Sequence, residues 1–112
     1  MLTEHQEQVN LVNWLAYNHK ELRFFAIPNG EKRNISVAKR LKKEGVSPGV
    51  PDLMFPSLFA FIEMKKEKGG RLSNHQKEWL DYLEKCGYKC FVCNGFKEAK
   101  EVITQLVGAV KP

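Results

Sequence analysis

Two carboxylates and one ammonium group stand at the ends of apolar runs in the segment GVPDLMFPSLFAFIEMKKEKGG, residues 49–70. Asp52 directly follows a proline, and a single residue separates Glu63 from Lys65. Carboxylate oxygens are the ligands that Mg²⁺ prefers, and this ion keeps several waters for a substrate. An ammonium group beside such an ion can orient a nucleophile and stabilise developing negative charge. The three residues therefore predict a site for metal-assisted attack on a phosphate ester.

Two short strands must bring these side chains together. The runs at 52–55 and 58–65, separated by Pro56 and Ser57, are typical of neighbouring strands, and the second is apolar on both faces, which predicts a central position in a sheet. Side chains alternate along a strand, so Glu63 and Lys65 share one face. If the two strands pair, Asp52 reaches the same place.

The other elements follow from hydrophobic periodicity and from helix start and stop signals. Capping boxes are expected at Thr3 with Gln6 and at Ser73 with Gln76. In chain order we predict a helix at 4–19, a strand at 22–27, a basic helix capped by Ser36 and closed by Gly45, the two strands above, a helix from Ser73 to Gly87, a strand at 88–94, a helix at 96–107 and a frayed tail at 108–112. This order predicts a mixed α/β sandwich.

The composition limits the class of protein. The chain has 112 residues, which suits one domain over 1–112, and its 43% hydrophobic and 28% charged content is that of a globular protein without a membrane span. The N-terminal residues lack a secretory pattern, so we expect a cytoplasmic protein with reduced cysteines, whose spacing does not suit zinc. The net charge is +5, with cations clustered at 31–33, 39–43 and 65–71, which favours a polyanionic partner.

A family resemblance rests on these residues. PD at 51 and 52, followed by EMK at 63–65, resembles the signature of the PD-(D/E)XK nucleases. PGVPDL with FIEMKKEKGGRLSNHQKEWLDYLEKCGY resembles the VRR-NUC branch of that superfamily, and IPNGEKRN and TEHQEQ extend the similarity over nearly the whole chain. The resemblance implies a PD-(D/E)XK α/β core, a mixed sheet flanked by helices, and a DNA nuclease that uses Mg²⁺ or Mn²⁺. It also implies that Asp52 and Glu63 are metal ligands, that Met64 adds its carbonyl, and that Lys65 is the catalytic cation.

The first helix offers two carboxylates for the further acidic ligand that the resemblance implies. Helical spacing places Glu4, Gln8, Leu11 and Leu15 on one stripe, with Glu7 toward its edge. The family pattern also places its glutamate four residues before a glutamine, as Glu4 stands to Gln8. We therefore prefer Glu4 as the ligand. The alternative is that Glu4 is only an acidic residue favoured in a first helical turn.

Several polar residues are secondary candidates. The resemblance suggests that Gln76 faces the site, whereas the capping box explains it as a purely local contact. Basic and amide side chains on two loops are candidates for contacts with phosphates, against the alternative of solvated loops. They are Asn29, Lys32, Arg33, Lys66, Lys68 and Arg71.

The resemblance points further to an endonuclease of phage or mobile-element type, which would act in a bacterial host cytoplasm on branched DNA such as four-way junctions. Each chain has one Asp52/Glu63/Lys65 site, whereas the resolution of a four-way junction needs two symmetric cuts. We therefore predict a homodimer. Aromatic residues offer material for its interface, namely Trp14, Phe24, Phe25 and Phe96. The alternatives are a DNA-binding module that does not cut and a phosphodiesterase that acts on RNA.

Overall fold

Helices flank both faces of a four-stranded mixed sheet in a computed structural model that describes residues 1–28 and 35–110. The order of elements is the predicted one. The elements are α1 (Glu4–Asn18), β1 (Phe25–Ala26), α2 (Ile35–Lys43), β2 (Leu53–Phe55), a short 3₁₀ turn (Pro56–Leu58), β3 (Ala60–Lys65), α3 (Asn74–Lys85), β4 (Lys89–Asn94) and α4 (Phe96–Val110). Within the described ranges, every helix is too short or too polar to cross a bilayer.

The sheet has the strand order β1-β2-β3-β4. β1 and β2 pair antiparallel, as do β2 and β3, whereas β3 and β4 are parallel and are joined through α3. β3 therefore has a partner on each side, which confirms its predicted central position. Its two ladders are in register with Leu53 opposite Ile62 and with Glu63 opposite Val92.

The two faces of β3 contact different parts of the protein. Ala60, Ile62 and Met64 are fully buried in one apolar core together with residues of α1 and α4. The alternating residues Glu63 and Lys65 point to the other face, where they contact α3. The apolar core therefore holds the backbone of β3 in place, and the same backbone carries Glu63 and Lys65 on the other face.

Both predicted capping boxes are confirmed. The Thr3 hydroxyl accepts from the Gln6 backbone N–H at 3.1 Å, and the Gln6 side chain accepts from the Thr3 N–H at 2.9 Å. At the start of α3, Ser73 and Gln76 make the same reciprocal pair. Satisfying these free N–H groups fixes where α1 and α3 begin.

The strand predictions at 22–27 and 58–65 were too long. β1 has only the two residues that pair with Met54 and Leu53, and β2 itself ends at Phe55, where Pro56 begins the 3₁₀ turn. The same turn delays β3 to Ala60, and Phe59 lies in the left-handed region with φ of 50°. The antiparallel ladder of β2 and β3 is thus limited to residues 53–55 and 60–62, and Asp52 and Glu63 lie just beyond it.

Two helix boundaries also differ from the prediction. α2 begins at Ile35, so Ser36 lies inside its first turn rather than at the cap. α4 continues to Val110, so residues 108–110 are helical and not a frayed tail. Val107 packs against the core, which supports this last part of the helix.

Candidate metal centre and active site

Three carboxylates meet where β2 begins and β3 ends. Glu4 in the first turn of α1, Asp52 just before β2, and Glu63 in β3 each place one oxygen within 4.8 Å of the other two. The ladder explains two of them: Leu53 pairs with Ile62, so the next position outward puts Asp52 opposite Glu63. Glu4 is exposed, Asp52 is half-buried and Glu63 is only 2% exposed. The cluster is therefore open on the side of α1 and closed on the side of the sheet.

Backbone contact fixes Asp52 within this cluster. Its Oδ2 accepts a hydrogen bond from the Met64 N–H at 2.7 Å. The Met64 side chain lies in the apolar core, so this bond ties the carboxylate to a rigid part of β3. One oxygen of Asp52 is thereby oriented by the fold, before any ligand binds.

Lys65 and Gln76 surround the other side of Glu63. The Lys65 Nζ lies 3.5 Å from Glu63 Oε2, and it donates to Gln76 Oε1 at 3.1 Å. Gln76 Nε2 donates to the same Glu63 oxygen at 3.1 Å. Gln76 Oε1 also accepts from the Ser73 N–H at 2.8 Å. The two explanations for Gln76, a local capping contact and a residue that faces the site, thus hold at once.

Burial makes this centre hard to ionise without a further cation. Burial first, and the neighbouring Asp52 second, raise the pKa of Glu63 to about 8, against the opposing effect of Lys65. Burial is also the largest cause that raises the pKa of Asp52. Glu63 Oε1 is buried and has no hydrogen-bond partner within the described residues. Such a buried oxygen among three carboxylates fits the oxygen donor set of a divalent metal ion.

Two glycines let the backbone close around the centre. Gly49, at φ of +88°, packs against the first turn of α3, where an added Cβ would lie 2.5 Å from the His75 carbonyl carbon and 2.8 Å from the Gln76 nitrogen. A Cβ on Gly70 would lie 3.0 Å from the Lys65 Cβ. Position 49 therefore requires glycine, because a side chain there would meet the backbone of α3, whereas Gly70 packs closely against the stem of Lys65. The proline-glycine pair at 48 and 49 was a turn signal that could have identified the first.

Helical spacing predicted that Glu7 lies toward the edge of the stripe that contains Leu11 and Leu15, and this prediction was wrong. Glu7 is 5% exposed and shares the buried face of α1 with Leu11 and Leu15, whereas Glu4 is exposed. Its Oε1 accepts from the Phe96 N–H at 2.9 Å, at the N-terminus of α4. Acceptor and donor are 89 residues apart, so no local pattern could have revealed the contact. Glu7 thus joins α1 to α4, and the carboxylate of α1 in the cluster is that of Glu4.

Glu7→Ala should lower the free energy of unfolding by about 1–3 kcal/mol, because it leaves a helix N-terminus without its acceptor. Glu7→Gln retains an oxygen acceptor and should cost less. Urea unfolding of both variants measures the difference. If Glu7→Gln instead removed Mn²⁺ binding as fully as Glu63→Gln, Glu7 would be a metal ligand and its assignment as a helix cap would be wrong.

The remaining predicted residues fall into two groups. Lys66, Lys68 and Arg71 lie in the segment between β3 and α3, with Lys66 half-buried and the other two exposed. Asn29, Lys32 and Arg33 lie outside the described residues. Cys93 is buried, and burial raises its pKa to about 12, whereas Cys86 is exposed.

Comparison with known proteins identifies the family. The model of the VRR-NUC domain matches residues 2–97. A solved structure described as a VRR_NUC domain protein is 27% identical to the chain, covers 96% of this chain and 89% of its own, and superimposes with a TM-score of 0.78. No protein of curated function matches the chain significantly. Sequence match, fold and the placement of PD and EMK at one end of the sheet agree that the chain belongs to the VRR-NUC domain family.

Proposed function

We propose that the chain is a divalent-metal-dependent endonuclease that hydrolyses phosphodiester bonds in DNA, with residues 1–112 forming one nuclease domain. Membership of the VRR-NUC family indicates a nuclease-type function. The observation that carries the metal dependence is the cluster of Glu4, Asp52 and Glu63, in which the buried Glu63 Oε1 has no hydrogen-bond partner among residues 1–28 and 35–110. A carboxylate oxygen left unpaired at such a place costs free energy unless a cation binds there.

The donor set defines the cofactor site. The carboxylates of Glu4, Asp52 and Glu63, with the Met64 carbonyl, would hold Mg²⁺ or Mn²⁺. When bound, such an ion polarises the scissile phosphate and lowers the pKa of a water near it. Asp52 is already oriented by the Met64 N–H, and Glu63 by Gln76, so the site is largely preorganised.

Lys65 supplies the positive charge that faces the substrate. An ammonium group has three N–H donors; Lys65 donates one to Gln76 Oε1, and its Nζ forms an ion pair with Glu63 Oε2 at 3.5 Å. In our proposal a remaining donor serves a phosphate oxygen or the attacking water. Gln76 keeps Lys65 and Glu63 at a fixed separation by donating to one and accepting from the other. In our proposal Lys65 is the catalytic cation and Gln76 orients both charged groups.

A cleavage assay tests this function. Linear duplex, flap and four-way-junction DNA of equal length, labelled at one end, are incubated with Mg²⁺, Mn²⁺ or chelator. We expect cleavage that needs a divalent ion and is faster on branched DNA. Activity in chelator would contradict the metal dependence. Binding of DNA without cleavage under any metal would favour a silent binding module, and preferential cleavage of RNA of the same sequence would replace the substrate.

We further propose that two copies act together on a junction, because one site makes one nick. Of the four aromatic residues suggested for an interface, Trp14, Phe24 and Phe96 pack against the core, so only Phe25, which is 53% exposed, remains suitable. Light scattering at micromolar concentration should give the mass of a dimer. A mixed dimer of wild-type and Glu63→Gln subunits should nick a junction once. A monomer mass, or paired cuts by the mixed dimer, would overturn this prediction.

A further inference from the structure

The side chains of α2 fall on two faces of different character. Three of its apolar residues, Val37, Ala38 and Leu41, are half-buried, whereas Ile35 is 75% exposed. At about 100° per residue, its basic residues lie on the opposite side of the helix, and all of them are exposed. They are Lys39, Arg40, Lys42 and Lys43. The basic face is therefore the more solvent-exposed side of the helix.

The charge on this face is not balanced within the described residues. α2 contains no acidic residue, and its one ion pair joins Arg40 Nε to Glu44 Oε2 at 3.9 Å, with both side chains well exposed. Lys39 and Lys43 are four residues apart, a spacing at which like charges repel and destabilise a helix. The helix dipole offsets part of this cost for the cations of the last turn. A polyanion along the face would offset the rest.

The fold holds this basic face near the metal centre. α2 ends at Lys43, and six residues later the Gly49 backbone packs against His75 and Gln76. Six extended residues span at most about 21 Å. The C-terminal end of α2 therefore lies within about 21 Å of the turn that carries Gln76 into the site. That upper bound corresponds to the rise of about six nucleotides along one DNA strand.

We infer that the basic face of α2 is a docking surface for the sugar-phosphate backbone of the duplex arm next to the scissile bond. The inference rests on the proposed nuclease function. Lysine and arginine contacts to phosphates position a duplex without reading its sequence, which suits a helix with four cations and few other polar groups. Lys39, Lys42 and Lys43 would follow the backbone from the exposed side of the helix.

Fluorescence anisotropy with a labelled 24-base-pair duplex, in a Glu63→Gln background that prevents cleavage, tests the surface. The variant Lys39→Gln/Lys42→Gln/Lys43→Gln is compared with Lys20→Gln/Arg23→Gln/Lys89→Gln. The control removes the same charge from exposed residues at the far ends of α1, β1 and β4. At 0.1 M salt the α2 variant should raise Kd at least tenfold, and should reduce the slope of log K against log salt by about 2–3. The control should change Kd less than threefold, and three Lys→Arg changes on α2 should retain affinity.

The outcomes separate the inference from the function on which it rests. If the parent binds duplex DNA and the two triple variants lose affinity equally, or neither does, the docking surface on α2 is wrong while the nuclease function stands. If the parent binds no DNA and the wild-type protein cleaves none with Mg²⁺ or Mn²⁺, both fail. Tighter binding of the parent to an RNA duplex of the same sequence would overturn DNA as the partner of this surface.

Discussion

Glu63→Gln is expected to reduce the rate of DNA cleavage by at least about 10³-fold and, at the same time, to raise the melting temperature of the metal-free protein. The loss of activity follows because the amide keeps the size of the side chain but removes an anionic ligand for the divalent ion. The gain in stability follows because the charge removed is buried beside Asp52, where ionisation is unfavourable.

The sign of the pH dependence sharpens this prediction. The pKa of Glu63 is raised from 4.5 to about 8 in the folded protein, so folding favours its protonated form. The contribution of Glu63 to the free energy of unfolding is fully present below pH 4.5 and is lost as the pH rises toward 8. The amide cannot ionise, so the difference in melting temperature should grow across that window to several degrees, since about 1 kcal/mol corresponds to roughly 4–8 °C in a small domain.

Thermal unfolding at pH 5, 6, 7 and 8 in the presence of chelator measures the effect. Glu21→Gln, at an exposed carboxylate beyond the far end of α1, is the matched control and should show neither change. A Glu63→Gln variant that cleaves DNA at the wild-type rate, or that is less stable than wild type at pH 8, would show that Glu63 is not an anion held in place for a metal.

Lys65→Met should lower kcat by about 10²–10⁴-fold at saturating metal while leaving DNA affinity nearly unchanged. Methionine preserves most of the aliphatic stem against which Gly70 packs, so the loop after β3 should keep its position. It removes the ammonium that contacts Glu63 Oε2 and Gln76 Oε1. Because that ammonium favours the ionised form of Glu63, the variant should also need more metal, and kcat must be measured at metal saturation.

The basic residues that follow Lys65 in the chain provide the contrast. Neutralising Lys66, Lys68 and Arg71 together should weaken DNA binding and flatten its salt dependence, with kcat at saturating DNA affected far less than by Lys65→Met. Single-turnover kinetics and anisotropy on the same duplex separate the two effects. If both variants lose kcat and affinity in the same proportion, the assignment of chemistry to Lys65 and of binding to the other three is wrong.

The sequence predicted those parts of the site that depend on local pattern. Alternation along β3 places Glu63 and Lys65 on one face, and a capping box fixes the start of α3, so the position of Gln76 followed from residues within a few places of it. The pairing of Asp52 with Glu63 followed from two adjacent strands joined by a short turn. Each of these features depends on residues that are close to one another in the sequence.

Contacts between distant segments were beyond such reasoning. The cap that Glu7 provides for α4 depends on how two helices pack, which the periodicity of α1 alone does not reveal. The short pairing of β1 with β2 depends on contacts between distant segments, and α2 begins two residues before the position that a cap at Ser36 implies. The double role of Gln76 was hidden for the same reason, because capping explained it locally and its contact with Glu63 appears only once α3 lies on the sheet.

The central claim is that Glu4, Asp52 and Glu63 form one divalent-metal site. Isothermal titration calorimetry of Mn²⁺ at pH 7, in two buffers of different ionisation enthalpy, tests it without any substrate. We predict saturable binding that releases about one proton, because a carboxyl with a pKa of about 8 must ionise to bind the ion. Binding should be lost in Glu63→Gln and Asp52→Asn, and should persist in Glu7→Gln. Equal Mn²⁺ binding by wild type and Glu63→Gln, or no binding by wild type, would contradict the account.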